Sequence, residues 1–246
     1  MIKDGIGETN ERIVSFLMIG QSNMAGRGDV NDVDPIKNNM CYMLRMGSWQ
    51  RMSEPINPDR TNKESNFRSG VSLAASFADE TAKFYKISVG LIPCADGGTK
   101  ISQWQPGSIL FDHAVMMTKL ATRTSELGGI IWHQGESDCK DFDRNRYRNL
   151  FLNTMTELRK TLNAEGLPLI IGEISEEIAP NWDVDDGPQK INQLLHELKS
   201  EIPCCEIASA KGLTLKEDGL HFDSPSCREL GRRYFQKYKQ LTDGIL

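Results

Sequence analysis

The chain has 246 residues, 39% of them hydrophobic and 26% charged, with 29 basic and 34 acidic side chains and a formal net charge of −5. That length can bury a sizeable core, and the composition excludes global disorder. The charge balance offers no footprint for nucleic acid or an anionic membrane, and no apolar run approaches the ~18 residues that a membrane span needs. Neither is expected as a partner.

The N-terminal MIKDGIGETNER lacks the apolar segment of a signal peptide, so the expected location is cytoplasmic. The six cysteines (Cys41, Cys94, Cys139, Cys204, Cys205 and Cys227) form no CxxC pair and no Cys/His ligand spacing. They read as free thiols of a reducing compartment rather than as a zinc site or a disulfide framework.

In chain order, residues 13–19 are a buried-strand run stopped by Gly20. Residues 27–66 are rich in Asn, Asp, Pro and Met and show little periodicity. They read as one long loop, such as the rim of a cleft. Residues 70–84 carry Leu73, Ala74, Phe77, Ala78 and Ala82 at helical spacing, and residues 87–92 are a second strand. A helix over 109–125 and a strand over 129–132 follow. Tyr147, Leu150, Phe151, Met155, Leu158 and Leu162 then form the stripe of a helix over 143–162. A strand over 167–171, a helix over 188–199 opening on Pro188 and a weaker strand over 205–208 come next. The last helix has Ser224 as its expected N-cap and Pro225 just inside. Five strands alternating with helices imply an α/β domain over residues 1–246, with a parallel sheet covered on both faces. In such folds the site lies at the carboxyl ends of the strands.

Four segments could carry chemistry there. Gly20-Gln21-Ser22-Asn23-Met24-Ala25-Gly26 follows the first strand directly, which would stand the Ser22 hydroxyl at the top of the sheet. Asp96-Gly97-Gly98-Thr99 follows the second strand, and its glycines suit a backbone oxyanion donor. Trp132-His133-Gln134-Gly135-Glu136-Ser137-Asp138 ends the third strand; the Gln134 amide could donate to an oxyanion, and Glu136 could orient a neighbour. In Asp218-Gly219-Leu220-His221 the carboxylate can accept the imidazole N–H from the same turn, leaving the other nitrogen as base for a serine. Each also reads as ordinary structure: a polar cap, a turn, a loop of satisfied polar groups, a structural histidine. There is no G-x-S-x-G, so the nucleophile elbow of α/β-hydrolases is missing.

GQSNMAG, GGT, WHQGESD and DGLHF in this order, with GVSLAASFA and CRELGRRYF, resemble the SGNH-hydrolase superfamily. More narrowly they are similar to carbohydrate esterase family six, the acetylxylan esterases and sialate O-acetylesterase-like proteins. The resemblance implies a flavodoxin-like three-layer α/β/α fold and a serine esterase without metal or cofactor, acting on an acetylated carbohydrate. Ser22 matches the nucleophile and His221 the base. Asp218 matches the acid, with Glu136 the alternative. Gln134 and Gly98, with Gly97 as a second choice, match oxyanion donors beside the N–H of Ser22. Gln21, Asn23 and Trp104 are candidate substrate contacts, Trp104 being equally readable as a packing residue. A sialate O-acetylesterase, a lipid or thioester acyl hydrolase of the same fold, and a non-catalytic carbohydrate-binding protein stay open.

Overall fold

The computed structural model describes residues 12–58 and 68–243. At its centre lies β1 (Ile13–Gly20), in a sheet with β2 (Cys41–Arg45), β3 (Ser48–Arg51), β4 (Ser88–Pro93), β5 (Glu126–His133), β6 (Leu169–Gly172) and β7 (Cys205–Ala208). The order is β3-β2-β4-β1-β5-β6-β7, parallel throughout except for the β2–β3 pair. After β1 the chain builds the β4 side of the sheet, then returns to place β5 on the other side of β1. Its carboxyl end is therefore a switch point, where open α/β sheets leave a crevice.

The five expected strands are present as β1, β4, β5, β6 and β7. The sheet has seven strands because residues 27–66 are not all loop: β2 and β3 form a hairpin on the β4 edge. Cys41, Tyr42, Met43 and Leu44 are all buried. Met46 (φ 49°) and Gly47 (φ 77°) make a two-residue turn with both φ angles positive, the geometry whose twist matches an antiparallel pair.

Side chains alternate across β1. Ile13, Leu17 and Ile19 face a core shared with α3 (Ile109–Ala121), α4 (Arg144–Thr161) and α5 (Gly187–Lys199). Phe16 and Met18 face a second core shared with α2 (Leu73–Tyr85) and α6 (Ser224–Thr242). This two-residue period produces the three layers. Phe16 packs edge-on against Phe77 and Tyr238 at 4.9 and 5.0 Å between ring centroids. Truncating such a buried ring costs about 3–5 kcal/mol.

The N-cap of α6 is Asp223 rather than Ser224: its carboxylate accepts the Ser226 N–H at 2.8 Å. The Ser224 hydroxyl is spent on the Asp29 carbonyl at 2.7 Å.

Candidate active site

β1 ends at Gly20, whose φ is +132° and where a Cβ would lie 2.0 Å from the His133 carbonyl oxygen. The next residue, Gln21, donates its N–H to that oxygen at 2.9 Å. The strand is thus cut off against the end of β5, and Ser22 opens α1 (Ser22–Ala25), a single turn. The Ser22 Oγ lies 3.0 Å from His221 Nε2, and His221 Nδ1 lies 2.8 Å from Asp218 Oδ2. The other Asp218 oxygen accepts the N–H groups of Leu220 and His221, each at 2.9 Å. Gly219, at φ +66°, makes this turn possible.

A carboxylate only accepts, so Nδ1 of His221 carries the proton and Nε2 offers its lone pair to the Ser22 hydroxyl. Burial pushes the Asp218 carboxyl up, but the two backbone N–H groups and the imidazole outweigh it and hold it below the usual aspartate range.

This arrangement opens into a cavity of about 530 Å³. Gly97 and Gly98 line it beside Ser22. A Cβ on Gly97 would stand 3.5 Å from the Ser22 Cβ and 2.6 Å from an Arg27 guanidinium nitrogen. Gly98 has φ +75° and nothing within 4 Å of where its Cβ would be. No backbone carbonyl among the described residues takes up the N–H of Ser22 or of Gly98.

Four other residues singled out in the sequence lie elsewhere. Gln134 is fully buried, and its amide nitrogen donates to the Thr99 carbonyl at 3.0 Å and to Asp138 Oδ2 at 2.6 Å. Its oxygen accepts from the Tyr147 hydroxyl at 3.1 Å, so it braces the two loops behind the cavity instead of lining it. Glu136 is buried and accepts from Asn23 Nδ2 at 2.6 Å, while both nitrogens of His221 are taken by Asp218 and Ser22. Asn23 itself is buried; it joins Glu136 to the backbone on both sides of His221. Trp104 is a core residue: its N–H donates to Thr99 Oγ1 at 3.1 Å, and its ring packs edge-on against Trp132. Gln21 does reach the cavity wall, while its side-chain oxygen accepts the Ser137 N–H at 3.2 Å.

Two further residues bring an aromatic ring to the cavity. His113 stands on α3 at its wall. Trp182, on the 3-10 turn Pro180–Trp182, also lines it, and its indole N–H donates to the Asp218 carbonyl at 2.8 Å. A lone tryptophan in an aperiodic stretch gives no signal of this in the sequence.

A family model described as carbohydrate esterase, sialic acid-specific acetylesterase matches residues 12–240. A probable carbohydrate esterase of Arabidopsis thaliana is 33% identical over 242 residues, covering 91% of this chain and 89% of that protein. The X-ray structure of that Arabidopsis protein superposes with a TM-score of 0.80 at 28% identity, covering 94% of this chain and 98% of the other. NanS superposes at 0.74 with 15% identity, covering 95% and 98% of the two chains. A carbohydrate acetylesterase from Xanthomonas citri superposes at 0.61 with 16% identity, covering 94% of this chain and 57% of that one. These last two share the fold. With residues 12–240 matched by the family model and 33% identity to the Arabidopsis protein over 91% of its length, the chain belongs to the carbohydrate esterase, sialic acid-specific acetylesterase family and is a carboxylic ester hydrolase.

Proposed function

We propose that this chain is a serine esterase that removes O-acetyl groups from carbohydrates through an acetyl-enzyme, with Ser22, His221 and Asp218 as its triad. The narrower placement among family-six esterases, with acetylated xylo-oligosaccharides as substrates, belongs to the same reading. The observation that carries it is the continuous run of hydrogen bonds from Ser22 Oγ through His221 to Asp218, 3.0 and 2.8 Å long, at the wall of a cavity.

Ser22 Oγ attacks the acetyl carbonyl carbon while its proton passes to His221 Nε2. The carbonyl π pair moves onto oxygen, and the N–H groups of Ser22 and Gly98 receive that oxyanion. Collapse breaks the bond to the sugar oxygen, which leaves with the proton from Nε2. Water then gives a proton to Nε2 and attacks the acetyl-serine. Acetate departs, and Ser22 recovers its proton. Asp218 holds the imidazole in the useful tautomer and stabilises its charged form. Gln134, committed behind the cavity, is not required as an oxyanion donor.

The test is acetate release from vinyl acetate by wild type and Ser22→Ala. Activity that disappears in the variant and persists in EDTA supports the reading. A folded wild type without turnover overturns it. A panel of O-acetylated xylo-oligosaccharides and O-acetylated sialic acids then assigns the sugar.

A further inference from the structure

An acetyl group fills only a small part of a cavity of about 530 Å³, a size that accommodates a whole small-molecule ligand. Among the described residues, the large hydrophobic side chains that stand exposed are Val30, Met46, Phe84, Ile109, Met116 and Trp182. Ile109 (82% exposed) and Trp182 (39%) both line this one cavity; the other four do not. Phe84, by contrast, is capped by the Lys239 ammonium 4.2 Å from its ring centroid. Exposed apolar side chains gathered at a cleft mark a binding surface.

Trp182 is also fixed in place. Its N–H is held by the Asp218 carbonyl at 2.8 Å, and the Ala179 N–H donates to the Gly219 carbonyl at 2.8 Å. The turn carrying the indole is therefore strapped to the turn carrying Asp218 and His221. With its one donor spent, what Trp182 still offers a ligand is ring surface. His113 and Ser137, on the same cavity wall, add polar atoms.

Resting on the esterase reading above, we propose that Trp182 is the platform on which the pyranose ring bearing the acetyl group stacks. A pyranose presents C–H groups on its faces and hydroxyls at its rim, which suits ring carbon beside scattered polar atoms. A long acyl chain would want an apolar wall throughout. Because the Trp182 turn is bonded to the Asp218–His221 turn through the Ala179 N–H as well as through the indole, a sugar seated on the ring is registered against the base.

The test compares wild type, Trp182→Ala and Trp182→Phe on an O-acetylated xylo-oligosaccharide, an O-acetylated sialic acid, vinyl acetate and vinyl octanoate. The alanine variant is expected to raise KM for the acetylated sugar about tenfold, equivalent to ~1.4 kcal/mol, with kcat little changed and vinyl acetate turnover within about threefold of wild type. Trp182→Phe, which keeps a ring and loses the N–H, restores most of the sugar affinity. Equal losses on the sugar and on vinyl acetate overturn the proposal, because Trp182 would then only hold the Asp218 turn. So does no loss on either, or a loss confined to vinyl octanoate. If wild type releases no acetate at all, the esterase reading fails and calorimetric titration of the same sugars decides the subsite: binding weakened by Trp182→Ala keeps it, and binding absent or unaltered removes it. Wild type that cleaves vinyl acetate but neither cleaves nor binds either sugar removes the subsite alone.

Discussion

Asn23 donates its side-chain amide to Glu136 at 2.6 Å, although 113 residues separate the two along the chain. The same Asn23 accepts the Phe222 N–H at 3.1 Å and reaches the Leu220 carbonyl at 3.4 Å. Both peptide neighbours of His221 thus hang on Asn23, and Asn23 on Glu136. Burial pushes the Glu136 carboxyl up, but the His133 ring, with Nε2 3.5 Å away, and the Asn23 amide outweigh this and hold it below the usual glutamate range. In this geometry Glu136 positions the His221 turn through Asn23 instead of pairing with the imidazole.

Glu136→Ala leaves a buried amide donor without its acceptor, a loss of about 1–3 kcal/mol. The unfolding temperature is expected to drop by roughly 2–4 °C for each kcal/mol. The loosened His221 turn should lower kcat on vinyl acetate more than it raises KM. Glu136→Gln keeps an oxygen facing Asn23 and should recover most of both losses. A glutamine variant as inactive as the alanine one would instead make the Glu136 charge itself the acid of the mechanism.

Asp218→Asn separates orientation from geometry. An asparagine oxygen can still accept the N–H groups of Leu220 and His221, so the turn is expected to survive. Its NH₂ would face His221 Nδ1 and favour the tautomer that turns a protonated Nε2 toward Ser22. In comparable triads that exchange costs about 10⁴ in kcat. The Asp218 side chain is 38% exposed here, so the imidazole can escape to water and a loss of about 10²–10⁴ is expected. Vinyl acetate kinetics on a variant shown by circular dichroism to be folded check it; near-wild-type kcat would remove Asp218 from the mechanism.

The strands and helices that carry a strong apolar period were readable from the sequence, as were the loops at the ends of β1, β4 and β5. What escaped was decided by tertiary partners. The β2–β3 hairpin stabilises itself only against β4, and its signal was a five-residue apolar run, residues 40–44, shortly before Met46-Gly47 inside a polar stretch. Ser224 and Asp223 are equally good caps locally; the Asp29 carbonyl, 195 residues away in sequence, claims the serine. Gln134 and Asn23 were expected at the site themselves, as oxyanion donor and substrate contact, yet their amides turn inward to Asp138 and Glu136. Trp182 could not be found at all, because its importance lies in a bond to a backbone carbonyl 36 residues on.

The pH dependence of stability follows from the carboxylates. Asp218 and Glu136 both titrate below their ordinary values in the folded chain. Each therefore contributes stability that is complete above the ordinary carboxylate pKa of about 4 and is lost as pH falls through the lower folded value. Asp138 works in the opposite direction: burial raises it and outweighs the bonds from Ile101 and Gln134, so its protonation on acidification relieves a cost. The unfolding temperature of wild type is expected to fall as pH drops below about 4, with a shallower slope in Glu136→Gln. Parallel slopes in the two proteins would show that Glu136 gains nothing from its partners.

Gly98→Ala and Gln134→Ala together test which groups hold the oxyanion. At Gly98 a Cβ meets nothing within 4 Å, so alanine introduces no clash. The φ of +75° nevertheless costs an L-residue about 1–2 kcal/mol, which relaxing the backbone would recover by turning the Gly98 N–H away from the cavity. If that N–H receives the oxyanion, kcat on vinyl acetate should fall toward the ~10²–10³ typical of losing one donor, with KM nearly unchanged. Gln134→Ala removes no group from the cavity wall but strips Thr99, Asp138 and Tyr147 of a shared partner. Its expected signature is a lower unfolding temperature, with kcat reduced only as far as the loops behind the cavity loosen. The reverse pattern, a large fall in kcat for Gln134→Ala at an unchanged unfolding temperature and little effect at Gly98, would mean that the Gln134 amide swings from Asp138 to the substrate during the reaction.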